Sequence, residues 1–302
     1  MSKLIIIILI IAVFNIGFII ISDVERVLES ILNFKIEFLF PIFGFILLGA
    51  LVKGVRQQFL LNTAGIKIPI TKSILLHCAG YSLTLTPGGS GEFIKTYYLK
   101  KKFGYNISKS LPVFIVEKFY DFLSISIIII LLFFLLQISE IIIIIFIIIL
   151  IGIILTVTTS KSFFKLSSKI FTKIPLFKKH ITSLEDFQNS IKNIIKEKIL
   201  VKISLSIFSF ILYSIGIYLV FIGFNLDLDI LFTTFVTFTS ILFGYITFLP
   251  GGIGVTEISV VGFLTNEGIN LSLATSIMLL LRLTGWWFLT IIGIISTKLF
   301  FK

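Results

Sequence analysis

Glu92, Glu117, Lys118, Asp121, Glu257 and Arg282 lie within stretches otherwise built largely of Ile, Leu, Phe and Val. A charge at the centre of a bilayer costs about 2.5–3.5 kcal/mol on insertion scales, so such residues face a cavity, pair with one another or bind something. Four acids and two bases exceed what mutual neutralisation needs. The carboxylates are suited to proton exchange or to contact with a cation. Arg282 carries a planar fork that can hold two oxygens of a phosphate at once, and Lys118 offers a second base. Glu117 and Asp121 are one helical turn apart around Lys118, so a structural ion-pair cluster competes there with a binding role.

Two of the carboxylates follow a Pro-Gly-Gly break. The first copy reads Thr86-Pro87-Gly88-Gly89-Ser90-Gly91-Glu92, and the second Leu249-Pro250-Gly251-Gly252-Ile253-Gly254-Val255-Thr256-Glu257. Gly88, Gly89, Gly251 and Gly252 free backbone N–H groups at a helix start, and those groups with the helix dipole make an anion site. A plainer use is a turn that reverses the chain, allowed in a membrane only where it is buried in protein or lines a water-filled cavity. Either use places a polar site at the break. Glu92 and Glu257 would each fall in the first turn of the following half-helix, where an acid complements the dipole by about 0.3–1 kcal/mol. That gain is smaller than the burial cost, which favours a functional role.

The two breaks are 163 residues apart, and the likeness extends beyond them. Gly104-Tyr105-Asn106-Ile107-Ser108 is followed after ten residues by Lys118, and Gly268-Ile269-Asn270-Leu271-Ser272 after ten by Arg282. Glu92 precedes Glu117 by 25 residues, as Glu257 precedes Arg282. Paired breaks at corresponding points of two halves mark transporters built from internal repeats, with the substrate site at the broken helices.

The elements that must position these groups follow from composition. The chain of 302 residues is 57% hydrophobic and 14% charged, which excludes an ordinary soluble domain and a disordered chain. Windows 4–21, 37–55, 110–136, 139–159, 201–223 and 271–297 meet or approach the length of about 20 apolar residues that spans a bilayer. Ser22-Asp23-Val24 after the first window lacks a small-residue cleavage pattern, so that window reads as a retained helix. Segments 73–86 with 91–103 and 230–249 with 254–266 are the pairs of arms around the breaks. Bases collect in 53–72, 95–109, 160–202 and at the C-terminus, which the positive-inside rule makes cytoplasmic. Acids collect in 22–37, 224–229 and 266–270, which face outward.

The expected fold is an all-α polytopic membrane protein in a single domain, 1–302, with about six full transmembrane helices and two re-entrant Pro-Gly-Gly hairpins. Repeat one (1–136) and repeat two (139–302) are inverted copies, the first hairpin dipping from inside and the second from outside. Both termini are expected in the cytoplasm of a cell-membrane protein. Segment 160–200 is basic with apolar residues at helical spacing (Phe163, Phe164, Leu166, Ile170, Phe171, then Leu184, Phe187, Ile191, Ile194 and Ile195), as an amphipathic helix in the cytoplasmic interface would be. The lone Cys78 and the two histidines, His77 and His180, support no metal site or disulfide framework, and no cofactor is expected. The basic loops read as topology determinants beside an anionic leaflet and not as a nucleic-acid surface.

These motifs resemble the flippase-like integral-membrane family that includes the transmembrane region of bacterial lysylphosphatidylglycerol synthases. The resemblance rests on Thr86 to Glu92, on Glu117-Lys118 with Asp121, and on Leu249 to Glu257 followed by Arg282, and it covers nearly the whole chain. The family often has arginines where this chain has Gly89 and Lys118. The resemblance implies movement of a lipid or lipid-linked polar group between leaflets. In the synthases a separate cytosolic domain transfers lysine to the lipid. Aminoacyl transfer is not expected of this chain, although a separate cytosolic lipid-modifying enzyme is a conceivable partner. The leading expectation is therefore a flippase-like transporter, not an enzyme, for a membrane lipid or a polyprenyl-phosphate-linked substrate. A membrane-embedded enzyme acting on a lipid phosphate and a small-solute secondary transporter remain the alternatives.

Overall fold

The computed structural model describes residues 20–84, 86, 90–137, 184–247 and 249–302, together with Gly17 and Gly152. Their regular elements are helices: α1 Val24–Leu32, α2 Leu39–Thr63, α3 Ile70–Gly80, α4 Ile94–Phe103, α5 Ile107–Leu135, α6 Leu184–Lys196, α7 Ile199–Gly223, α8 Ile230–Ile246, α9 Val255–Asn266, α10 Leu271–Leu281 and α11 Phe288–Phe301. Short 3-10 turns, Tyr81–Leu83 and Ser90–Phe93, flank the first break, and a π-helical turn, Arg282–Trp287, joins α10 to α11.

Among the described residues, four helical stretches are long and apolar enough to cross a membrane: Ile36–Thr63, Ile107–Leu135, Ile199–Gly223 and Leu271–Phe301. They coincide with expected windows 37–55, 110–136, 201–223 and 271–297. Windows 4–21 and 139–159 fall almost wholly outside the described residues. Around each Pro-Gly-Gly, the chain forms two short helices instead of one long one: α3 and α4 at the first, α8 and α9 at the second. Local chemistry sets several ends. Asp229 Oδ1 accepts the Leu231 N–H at 2.8 Å to start α8, and Asn270 Oδ1 accepts the Leu273 N–H at 2.8 Å to start α10. The left-handed Gly104 (φ 75) closes α4.

The described chain divides into two compact units, each discontinuous in sequence. One takes its residues from Met1–Ala50, Cys78–Glu92 and Ser209–Lys298, the other from Leu51–His77, Phe93–Phe208 and Leu299–Lys302. In the first, α8 packs on α9, α9 on α10, and α10 on α1. Ser22 and Thr275 hydroxyls meet at 2.7 Å, and Ser276 donates to the Val27 carbonyl at 3.2 Å, so small hydroxylated side chains line the close α1–α10 contact.

In the second unit, α5 is the central element, with α4 and α6 packed on it. Leu60, Leu61, Leu99, Val113, Phe114, Val116, Tyr120, Phe187, Ile191 and Ile194 share its core. Phe187, Ile191, Ile194 and Ile195 of the apolar stripe are thus turned onto protein, and the Tyr120 hydroxyl fastens α6 by donating to the Ile195 carbonyl at 2.7 Å. The first part of the expected amphipathic segment, 160–183, lies outside the described residues.

Candidate functional site

Each unit holds a buried charged centre. In the first unit it forms at the second break. Gly251 and Gly252 adopt positive φ (58 and 66), which bends the chain between α8 and α9. A Cβ on Gly251 would fall inside the Trp286 ring, so the indole lies directly against the bend. Glu257, in the first turn of α9, is 1% exposed. Its Oε2 accepts the Gly254 N–H at 2.8 Å, satisfying a helix-start donor, while its Oε1 lies 2.8 Å from Arg282 Nη2. Arg282 also donates through Nη1 to the Gly251 carbonyl at 3.1 Å and stacks over the Trp286 ring at 4.7 Å. Arg282 opens the π-helical turn, a distortion often found at functional sites. The expected residues Gly251, Gly252, Glu257 and Arg282 thus converge on one centre. Glu92, also buried, sits in the 3-10 turn that begins the second arm of the first break. Gly88 and Gly89 lie outside the described residues.

The second unit gathers its charges on α5. Glu117 and Asp121 stand four residues apart and share a face. Opposite them, Lys53 and Arg56 are one turn apart on α2. Arg56 Nη1 reaches Asp121 Oδ1 at 2.7 Å and the Ser206 hydroxyl at 2.7 Å, and its Nη2 lies 3.8 Å from Glu117. Lys53 lies 3.3 Å from Asp121. Glu117 is the hub: Lys95 of α4 donates to Oε2 at 2.7 Å, and His77 Nδ1 of α3 stands 2.7 Å from Oε1. The Lys95 ammonium also lies over the Phe114 ring at 4.7 Å.

A close helix crossing brings His77 there. A Cβ at Gly54 would approach Ile74 Cα to 2.8 Å, so only glycine lets α2 and α3 meet at this depth. Ser73 then donates to the Gly54 carbonyl at 3.2 Å, and Gln57 donates to the Ser73 carbonyl at 2.8 Å. His77, one turn beyond Ser73, is carried to Glu117. The cluster is graded in exposure: Lys53 and Asp121 side chains are 16% exposed, against 2% or less for Arg56, His77, Lys95 and Glu117. Lys118 is half-buried and acts electrostatically on both Lys53 and Asp121.

Four members of this cluster, Lys53, Arg56, His77 and Lys95, are not among the expected site residues. Lys53 and Lys95 register in the sequence only as positive charge in 53–72 and 95–109. The available signal was that Lys53 and Arg56 close an apolar window one helical turn apart. Lys118 and Arg282, equivalent in sequence, differ in setting, since Arg282 binds the glutamate of its own break. Among the described residues no group of three or more His, Cys, Asp and Glu side chains is arranged to hold a metal.

Several apolar crossing-length helices, short helix pairs broken at Pro-Gly-Gly and charges buried on those helices define a polytopic helical membrane protein. The profile of the family described as "Lysylphosphatidylglycerol synthase TM region" matches residues 4–293, and the chain belongs to that family. Its relatives include a UPF0104 membrane protein of Methanocaldococcus jannaschii, 28% identical over 215 residues that cover 70% of this chain and 91% of the relative. A UPF0104 membrane protein of Pyrococcus horikoshii is 26% identical over 301 residues, 90% of each chain.

Proposed function

We propose that the protein moves a lipid, or a lipid-linked anionic headgroup, between the leaflets of the cell membrane. The observation carrying this reading is the centre at the second break, where Arg282 stands on a crossing-length helix beside a helix start. A guanidinium fork and a glycine-rich helix start are two devices that recognise phosphate. Glu257 occupies both, through the Gly254 N–H and Arg282 Nη2. It serves as a resident carboxylate that an arriving headgroup exchanges with, and Glu92 is the corresponding group of the first break. In this reading both breaks are re-entrant hairpins of two inverted repeats, the termini are cytoplasmic and no aminoacyl chemistry occurs on the chain.

The test is transbilayer movement of fluorescent anionic and zwitterionic lipids in proteoliposomes, comparing wild type with Arg282→Ala, Glu257→Gln and Glu92→Gln. Acceleration of the anionic lipid that Arg282→Ala abolishes in folded protein supports the reading. No acceleration for any headgroup removes it, and leaves a soluble-substrate transporter or a lipid-phosphate enzyme.

A further inference from the structure

Helix α1 carries an apolar face that the described residues cover along one edge only. Val24, Val27, Leu28, Ile31 and Leu32 share an arc of roughly 140° on the helix, and Glu25, Arg26, Glu29 and Ser30 fill the opposite side. Val27, at one edge of the arc, is 1% exposed where α1 packs on α10. Leu28 and Leu32, toward the other edge, are 54% and 83% exposed, and Val24 and Ile31 between the edges are exposed as well.

The contacts of α1 set its level. Ser272 donates to the Ser22 carbonyl and Ser276 to the Val27 carbonyl, both from the first two turns of the crossing-length stretch Leu271–Phe301. Just past the other end of α1, the Lys35 N–H donates to the Gly223 carbonyl at 2.9 Å, and the Phe34 ring meets Phe224 edge-on at 5.0 Å. Gly223 is the last residue of a second crossing-length stretch, and Ile36 is the first residue of a third. Before α1, Asp23 (φ 68) turns the chain away from the helical path of Ile20 and Ile21. With nine residues α1 is about 14 Å long, far short of the roughly 30 Å of a hydrocarbon core. A helix this short, touching the ends of three crossing-length stretches, lies at the membrane boundary.

We infer that α1 is an interfacial helix lying flat on one leaflet, and that the occupant of its apolar face is the acyl-chain boundary of the bilayer. Leu28 and Leu32 enter among the chains, Val27 holds the protein, and Arg26 and Glu29 stay in water. Asp23, Glu25 and Glu29 outnumber Arg26, so anionic headgroups do not draw the helix in, and its attachment is apolar. The same acids argue against a second copy on this face, which would bring the Glu25 and Glu29 rims of both helices together, like charge on like. The inference rests on the chain being a membrane protein and not on lipid translocation.

The experiment is spin labelling of the full chain in phosphatidylcholine vesicles, with Cys78 replaced by serine and single cysteines at Leu28, Leu32, Arg26 or Glu29. Collisions with oxygen, which dissolves among acyl chains, are compared with collisions with a water-soluble nickel chelate. The expected result is an oxygen-to-nickel ratio several times higher at Leu28 and Leu32 than at Arg26 and Glu29, unchanged when phosphatidylglycerol is added to the vesicles. All four side chains are exposed, and thermal unfolding checks each labelled protein; Val24 replaces an apolar position that fails the check, and Ser30 a polar one. Nickel access at Leu28 and Leu32 equal to that at Glu29 puts the face in water and overturns the inference. Weak collision with both reagents at Leu28 and Leu32 means that protein, such as a second copy, covers the face, and overturns it too. So does an oxygen preference at all four positions, which would sink α1 wholly into the bilayer, or one that needs phosphatidylglycerol.

Discussion

Arg282 and Glu257 stand 25 residues apart in the chain and 2.8 Å apart in the fold. The same carboxylate takes the N–H of Gly254, at the first turn of α9. Substituting Glu257→Gln keeps an acceptor for that N–H but strips the charge from the guanidinium contact. Loss of a charged hydrogen bond costs about 1.5–3 kcal/mol, so the apparent melting temperature falls and recovers little in Glu257→Asp, whose shorter arm misses Arg282. A melting temperature unchanged in Glu257→Gln would show that the pair contributes nothing to stability.

Gly251 tests the bend. Alanine there meets the Trp286 ring and a φ of 58, so overpacking of about 1–3 kcal/mol adds to backbone strain. Pairing Gly251→Ala with Trp286→Ala removes the steric part and leaves the backbone part. A double-mutant cycle by thermal unfolding then gives a coupling energy clearly different from zero, whereas strict additivity would mean that the indole does not cover the bend.

Glu117 holds the second cluster together. Glu117→Gln leaves Lys95 and Arg56 buried without its charge, and breaking a buried pair from one side costs about 3–5 kcal/mol. Lys95→Met combined with Glu117→Gln removes both charges of the pair and is expected to be more stable than Glu117→Gln alone. Denaturation in detergent reads the order of the three proteins, and the single variant proving the most stable would refute the hub.

Helix α6 separates two environments for an amphipathic segment. Ile191 is 2% exposed in the core of the second unit, so Ile191→Ala costs about 2–5 kcal/mol. A helix lying in the lipid interface would lose far less. Near-wild-type stability of Ile191→Ala would place the stripe against lipid.

The inverted arrangement is open to labelling from either side. With Cys78 replaced by serine, single cysteines at Lys101 and Asn266 are expected to react with an impermeant reagent from opposite faces. Reaction of both from one face removes the inversion.

Much of the architecture is written locally. The apolar windows, the Pro-Gly-Gly breaks and the charged Glu257 and Arg282 within apolar runs can each be read from composition and spacing. Even the Glu257–Arg282 contact is foreshadowed, because their spacing of 25 residues matches that of Glu92 and Glu117 after the first break. The second cluster is different. Lys53 and Lys95 look like any cytoplasmic base next to an apolar run, and His77 like a lone core histidine. They become members of a site only through the crossing of α2 and α3 at Gly54 and the docking of α4 on α5. The pairs that result, Lys95 with Glu117 and Arg56 with Asp121, join residues 22 and 65 positions apart, beyond the reach of helical periodicity.

The π-helical turn at Arg282–Trp287 has a mechanical consequence. Such a turn accommodates one residue more than an α-helical turn, and each α-helical residue advances the rotation by about 100°. Deleting one residue there would restore an unbroken α-helix and swing Phe288–Phe301 around its own axis relative to Leu271–Leu281. The last crossing-length helix is therefore built like a crankshaft, with its throw set at the residue that carries the guanidinium.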